Sequence, residues 1–125
     1  MSETETRVAV YGTLKRGLSN FPLLQGARFV GCDCLTDITL YDLGPFPGAR
    51  PERSDGVDVE VFELTVSHLS RLDILEDYLS NAPDEGLYNR VLMPTRFGPA
   101  WIYIYNPPVS GLRAIRSGGW FPQDN

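Results

Sequence analysis

Hydrophobic and polar residues alternate in several short segments of the chain, and a period of two is typical of a strand with one buried face. Residues 57–64 (VDVEVFEL) alternate most clearly, and residues 7–11 (RVAVY) form a β-branched run that ends at a glycine. Residues 28–42 alternate in part, which indicates one long or bulged strand. Two further strands are predicted at residues 87–95 and 100–105. The pattern therefore predicts five or six strands.

One segment, residues 67–79, has the leucine spacing of an amphipathic helix, with Ser67 as its expected N-cap. Its apolar face is formed by leucines three or four residues apart: Leu69, Leu72, Leu75 and Leu79. A sheet with so few helices predicts an α+β fold, namely a small mixed or antiparallel β-barrel with one main flanking helix.

Glu76 lies in an unusual position on this helix. At about 100° per residue it falls between Leu69 and Leu72 on the apolar face, whereas Asp73 and Asp77 fall outside it. Burying an unpaired carboxylate is costly, so three interpretations stay open. Glu76 forms a buried salt bridge with an arginine, reaches water at the edge of the face, or holds a proton with a raised pKa. The last property suits a group that transfers protons near neutral pH.

The segments between the predicted elements contain most of the glycine and proline. Residues 12–20 follow the first strand, and Gly12 allows a sharp turn whose successive N–H groups could bind an anion, although an ordinary hairpin turn also fits. Residues 21–24 are predicted as a short helical turn. Residues 44–56 hold three prolines and three glycines, which predicts a long loop without regular structure.

Two pairs of polar residues share strand faces. Tyr88 and Arg90 lie on one face of their strand, where Arg90 is a natural partner for an anion. Tyr103 and Tyr105 alternate with isoleucines, so both face the same side, which is either a pocket or the surface.

Composition narrows the class of protein. A chain of 125 residues is the size of one domain, with residues 1–6 expected as a disordered tail and residues 7–125 as the domain. Lys and Arg total 11 and Asp and Glu total 16, giving a formal net charge of −5. This charge disfavours binding to nucleic acid or to anionic membranes. The polar N-terminus and the lack of a long apolar run predict a cytoplasmic protein.

Cysteine and histidine are scarce. His68 is the only histidine. Cys32 and Cys34 are spaced too closely on a strand to bridge each other. Because free cysteines in an apolar stretch are usually buried, both are expected to be buried. We therefore expect a monomer or loose homodimer whose fold needs no metal and no disulfide.

Several motifs together closely resemble the γ-glutamylcyclotransferase-like family. They are VAVYGTLKRG at the first strand, FPGARP in the long loop, LDILEDY on the helix, Y-N-R after it and SGGW near the end. The resemblance covers nearly the whole chain and implies a small mixed β-barrel. It also implies an enzyme without a cofactor that releases 5-oxoproline from γ-glutamyl compounds.

The resemblance implies a role for each matching residue. Glu76 would be the general acid and base, while the substrate-binding residues would be Tyr11, Gly12, Thr13, Leu14, Tyr88 and Arg90. Gly119 departs from the family, whose members often have an acid at this position. A protein that binds a small anionic metabolite in the same cavity without turnover is the alternative function.

Overall fold

A curled, mixed β-sheet with an α-helix packed against one face forms the fold. The computed structural model describes residues 6–12, 14–18, 21–43, 47–76, 78, 82 and 85–115. In chain order the elements are β1 (Thr6–Val10), a 3-10 helix (Phe21–Leu24), β2 (Arg28–Leu35), β3 (Thr39–Asp42), β4 (Pro47–Arg50), β5 (Val57–Leu64), α1 (Val66–Leu75), β6 (Tyr88–Thr95), β7 (Gly98–Tyr105) and β8 (Ala114–Ile115). The predicted fold class, a small mixed β-barrel with one main flanking helix, is confirmed for this part of the chain, where the mixed sheet forms a half-barrel.

The strands follow the order β2-β5-β1-β7-β4-β3-β8, and β6 pairs with β7. β1 and β4 run parallel to β7, and the other pairs are antiparallel. β1 pairs with β7 at Trp101, and β4 pairs with β7 at Ile104. β1 and β4 therefore occupy successive parts of the same edge of β7, and the sheet divides between them.

The side chain of Tyr11 fills this division. Its hydroxyl donates a hydrogen bond to the main-chain oxygen of Tyr103 at 2.6 Å and accepts one from the N–H of Ala49 at 3.3 Å. Tyr103 lies between the two residues of β7 that pair with β1 and β4. The phenol thus provides a partner for one main-chain group of β7 and one of β4, which offsets the cost of burying them.

Hydrophobic side chains form one core cluster on each face of the sheet. One cluster includes Ala9, Val61 and Ile102, and the other includes Val8, Phe62 and Tyr103. The second cluster also contains Leu72, so it lies beneath α1. The period of two in each strand therefore decides which residues the helix covers.

Two predicted boundaries between strands and loops are wrong. Residues 28–42 form two strands rather than one, because β2 pairs with β5 whereas β3 pairs with β4. The segment predicted to be an irregular loop contains β4, whose first residue, Pro47, occupies a position where a strand tolerates proline. A Cβ on Gly48 would lie 2.9 Å from the Tyr105 side chain, so glycine allows β4 to pack closely there.

Cys32 and Cys34 are exposed, which corrects the expectation of burial. Their register on β2 places them opposite Glu60 and Asp58 of β5. Opposite residues of an antiparallel pair share a face, so the cysteines lie on the polar face of that pair.

The helix begins and ends earlier than predicted. Its N-cap is Thr65 rather than Ser67, and the Thr65 side chain and His68 form a reciprocal capping box. His68 Nδ1 accepts from the Thr65 N–H, so Nε2 carries the proton that is donated to the Gln25 oxygen at 2.9 Å. The helix ends at Leu75, which is 38% exposed rather than buried, and Leu79 lies outside the described residues.

β1 starts at Thr6, one residue inside the predicted tail. None of the helices in the described ranges combines the length and apolar character needed to cross a membrane.

Replacing Tyr11 with phenylalanine tests the hydroxyl at the division of the sheet. Tyr11→Phe leaves the Ala49 N–H and the Tyr103 oxygen without their partner, so the free energy of unfolding should fall by about 2 kcal/mol or more. Urea denaturation measures this change. Tyr41→Phe removes a hydroxyl that makes an equally short but exposed bond, 2.6 Å to Glu52, and should cost about 0.5 kcal/mol or less. Equal losses in the two variants would contradict the role given to Tyr11.

Candidate active site

Glu76 is the C-cap residue of α1, and its N–H donates to the Leu72 oxygen at 2.9 Å. Its side chain is largely enclosed by the protein, and this burial raises the pKa of the carboxyl from 4.5 to about 7. Among the residues that the structure describes, none donates a hydrogen bond to this carboxyl or forms an ion pair with it. The geometry therefore favours a carboxyl that holds its proton over one paired with a described arginine.

Three buried tyrosines lie close enough to Glu76 to interact with its charge: Tyr11, Tyr88 and Tyr103. Burial is the main cause of their raised pKa values, and the negative charge of Glu76 adds to the shift in all three. Each phenol donates its proton elsewhere. Tyr88 donates to the Pro47 oxygen at 2.9 Å, and Tyr103 donates to Asp73 Oδ1 at 2.7 Å. Each hydroxyl thus has an acceptor other than Glu76, although all three tyrosines lie close enough for the charge of Glu76 to raise their pKa values.

The turn after β1 lies beside this group. The Lys15 N–H donates back to the Gly12 oxygen at 3.0 Å and closes the turn. No described residue accepts a hydrogen bond from the N–H groups of Gly12 or Leu14. Two main-chain donors thus lack described partners, as an anion-binding turn requires. Thr13, the other member of this predicted turn, lies outside the described residues.

Pro47 joins the turn to the tyrosines. A Cβ on Gly12 would lie 3.0 Å from the Pro47 ring, so the absence of a side chain lets the turn approach β4. The Pro47 oxygen accepts the Tyr88 hydroxyl, and Leu14 packs in the same core cluster as Tyr88. The fold therefore brings four of the predicted substrate-binding residues to the same region as Glu76: Tyr11, Gly12, Leu14 and Tyr88.

Arg90, the remaining predicted substrate-binding residue, forms an ion pair with a carboxylate of the protein itself. Its Nε lies 3.0 Å from Asp73 Oδ1, although the N–H is not aligned for a hydrogen bond. Its guanidinium also covers the rings of Trp101, at 4.4 Å, and Tyr78, at 4.8 Å. Because Asp73 already balances its charge, the structure does not favour Arg90 as the partner of a substrate anion.

Sequence reasoning underestimated Asp73 and Tyr103. Asp73 falls outside the apolar face of α1, yet it is half-buried and contacts both β6 and β7. The alternation on β7 did indicate a tyrosine face, and that face lies under α1 for Tyr103. Helical spacing identified the face of Asp73 but not what the sheet presents to it.

The site is suited to proton transfer by a single carboxyl. A group with a pKa of about 7 is partly ionised at neutral pH and can both accept and donate a proton. Across the described ranges, no cluster of three or more His, Cys, Asp or Glu residues is placed to hold a metal ion.

Replacing Glu76 with glutamine should stabilise the fold in a pH-dependent way. The folded-state pKa of about 7 lies above the ordinary 4.5, so the wild type loses stability as the pH rises from about 4.5 through 7. Glu76→Gln removes this loss. The variant should gain up to about 3 kcal/mol relative to the wild type at pH 8, and far less at pH 4.5. Urea denaturation at several pH values measures the difference, and a gain that does not change with pH would contradict a buried, partnerless carboxyl.

Known proteins resemble this chain in both sequence and fold. A family model described as Gamma-glutamyl cyclotransferase, AIG2-like matches residues 8–122. The gamma-glutamylcyclotransferase family protein YtfP of Escherichia coli K12 is 36% identical over 118 residues, which cover 94% of this chain and 98% of that protein. The solution NMR structure of ytfP from Escherichia coli matches with a TM-score of 0.73 and 36% identity, over 92% of this chain and 96% of the other.

A crystal structure of an aig2-like protein from Mus musculus matches with a TM-score of 0.72 over 97% of this chain and 98% of the other. At 23% identity, that likeness concerns the fold alone. The family model, by contrast, includes the turn after β1, the end of α1 and the strands that enclose Glu76. The chain therefore belongs to the γ-glutamylcyclotransferase, AIG2-like family.

Proposed function

We propose that the protein releases 5-oxoproline from a γ-glutamyl amine or γ-glutamyl amino acid, with Glu76 as the general acid and base. The observation that carries this proposal is the Glu76 carboxyl. It is largely buried, interacts electrostatically with three buried tyrosines, has a pKa of about 7 and has no ion-pair partner among the described residues. Such a carboxyl is suited to proton transfer rather than to a structural ion pair.

The reaction needs a group that moves protons in both directions. The substrate's α-ammonium loses a proton to Glu76, and the resulting amine attacks the γ-carbonyl carbon to form the lactam C–N bond. The bond between that carbon and the leaving nitrogen then breaks. The lactam nitrogen keeps one of the three ammonium protons, and Glu76 relays the other two to the leaving amine. A carboxyl whose pKa is close to the working pH serves both steps.

Positioning supplies the remainder of the rate. The nucleophile and the electrophile belong to one molecule, so a pocket that holds the substrate in a folded conformation promotes ring closure. In this proposal the N–H groups of Gly12 and Leu14 bind the substrate carboxylate or the oxyanion that develops on the γ-carbonyl. Tyr11, Tyr88 and the other residues of the turn form the wall of the glutamyl pocket.

A panel of γ-glutamyl amino acids and γ-glutamyl amines, assayed for 5-oxoproline by mass spectrometry, tests the activity. Wild-type protein should turn over at least one member of the panel. Glu76→Gln keeps the shape of the side chain but cannot relay a proton, so turnover should fall by about 10²-fold or more while substrate binding persists. Glu63 of β5 is a partly buried carboxylate that pairs with Arg7 and Arg28, and the control variant Glu63→Gln should retain turnover.

Two outcomes would contradict the proposal. If Glu76→Gln keeps full turnover, Glu76 is not the acid and base. If wild-type protein binds members of the panel but releases no 5-oxoproline from any of them, the protein binds a metabolite without catalysis.

The pH dependence gives a second test. Because Glu76 must be ionised to accept the first proton, kcat/KM of the wild type should rise as the pH increases through about 7. Steady-state rates between pH 5.5 and pH 8.5 measure this limb, and the residual rate of Glu76→Gln should lack it. A wild-type profile that is flat across this range would exclude Glu76 as the base.

A further inference from the structure

We propose that Asp73 and Arg90 are positioning residues for Glu76. Their contacts fix Glu76 at the end of α1, and the Asp73 carboxylate holds the Arg90 guanidinium away from it. Asp73, Arg90, Tyr78 and Tyr103 form what we call the Asp73 clamp. The inference rests on the proposed function for its catalytic meaning, and its geometry stands on the contacts described below.

The first part of the Asp73 clamp is the main chain around Glu76. The Tyr78 N–H donates to the Asp73 oxygen at 2.9 Å, and the Glu76 N–H donates to the Leu72 oxygen at 2.9 Å. A hydrogen bond from the second residue beyond the cap to the third residue before it is the longer bond of a Schellman ending. Residues on either side of Glu76 are therefore tied to each other.

The second part ties this helix end to the sheet. Asp73 Oδ1 accepts the Tyr103 hydroxyl at 2.7 Å and lies 3.0 Å from Arg90 Nε. Arg90 of β6 is the direct cross-strand partner of Tyr103 of β7. One carboxylate oxygen thus contacts two adjacent strands at one point. The side chains of Arg90 and Asp73 are 14% and 22% exposed, which limits the screening of this ion pair by water.

The third part closes the circuit. The Arg90 guanidinium lies 4.8 Å from the centre of the Tyr78 ring, within the range of a cation–π contact. Contacts therefore run from the Asp73 side chain to Arg90, from Arg90 to Tyr78, and from the Tyr78 N–H back to the main chain of Asp73. Glu76 lies in the chain segment that this circuit encloses, so it cannot shift far without breaking one of these contacts.

Charge gives the clamp its chemical consequence. From the described elements, the titratable groups that face Glu76 are Tyr11 after β1, Tyr88 on β6 and Tyr103 on β7, all buried with raised pKa values. Arg90 is a largely buried cation, and Asp73 is its ion-pair partner. Without Asp73, the guanidinium would need another anion, and Glu76 at the same helix end has no ion-pair partner among the described residues. An ion pair there would hold Glu76 as a carboxylate with a lowered pKa, and so make it a weaker base toward the substrate's ammonium group.

A titration of Glu76 in the whole chain tests this inference without any substrate. The carboxyl carbon of ¹³C-labelled Glu76, assigned by its absence in Glu76→Gln, is followed by NMR between pH 4 and pH 9. In Asp73→Asn the pKa of Glu76 should fall by about one unit or more. In the double variant Asp73→Asn/Arg90→Gln, which also removes the cation, the pKa should return close to the wild-type value.

Two further variants keep the result interpretable. Glu63→Gln breaks a partly buried ion pair on β5, two residues before the N-cap of α1, and should leave the titration of Glu76 at the other end of this helix unchanged. Tyr103→Phe removes only the hydroxyl that Asp73 accepts, and should lower the pKa of Glu76 by less than Asp73→Asn does. It also provides the measurement if Asp73→Asn does not fold.

The outcomes separate the clamp from the proposed reaction. An unchanged pKa in Asp73→Asn would overturn the inference, as would a lowered pKa that persists in the double variant. If Asp73→Asn does not fold, an unchanged pKa in Tyr103→Phe would also overturn it. On any substrate that wild type turns over, Asp73→Asn should lower kcat with little change in KM, and the double variant should recover part of the loss. If no substrate is found, the proposed function fails while the titration still decides the clamp.

Discussion

The hydroxyl of Tyr11 is the contact on which the arrangement around β7 depends. β1 and β4 both need the same edge of β7, and neither covers all of it. By bonding to the Ala49 N–H and the Tyr103 oxygen, the phenol lets the sheet divide without leaving buried main-chain groups unpaired. The division is also where the turn after β1 packs against Pro47. The hydrogen bonds of Tyr11 that allow the sheet to divide therefore also place this turn in the candidate site.

The site gives two carboxyl groups at one helix end different surroundings. Asp73 and Glu76 are three residues apart, close enough to share a turn of the helix. Asp73 accepts the Tyr103 hydroxyl and forms an ion pair with Arg90, whereas burial without a described partner raises the pKa of Glu76 to about 7. Environments that separate the properties of neighbouring titratable groups are typical of acid–base sites.

The tyrosines link these two features. Tyr103 contributes its main-chain oxygen to Tyr11 and its hydroxyl to Asp73, so the division of the sheet and the end of α1 meet in one residue. Tyr88 reaches Pro47 and thereby connects β6 to β4. Tyr103, which the sequence presents as one of several aromatics on the strands, thus links the Tyr11 hydroxyl to the end of α1 that holds Glu76.

Local periodicity determined what depends on neighbours along the chain. The alternation of residues 57–64 predicted β5 with its observed bounds, and the spacing of the leucines placed Glu76 toward the protein interior although α1 ends one residue before it. Together with the motifs, these patterns were enough to predict the fold class, the family and most of the residues that gather around Glu76.

Tertiary structure decided everything that depends on which surfaces meet. β4 exists in a segment rich in proline and glycine because β3 and β7 pair with it, and its own sequence carries no strand signal. Cys32 and Cys34 are exposed because their register places them opposite Asp58 and Glu60. Asp73 lies off the apolar face of its helix, yet it accepts a hydrogen bond from Tyr103 and pairs with Arg90, because docking of α1 places it against these two residues. Periodicity states which side chains share a face, but only strand pairing and helix docking, which join residues far apart in the chain, decide what that face contacts.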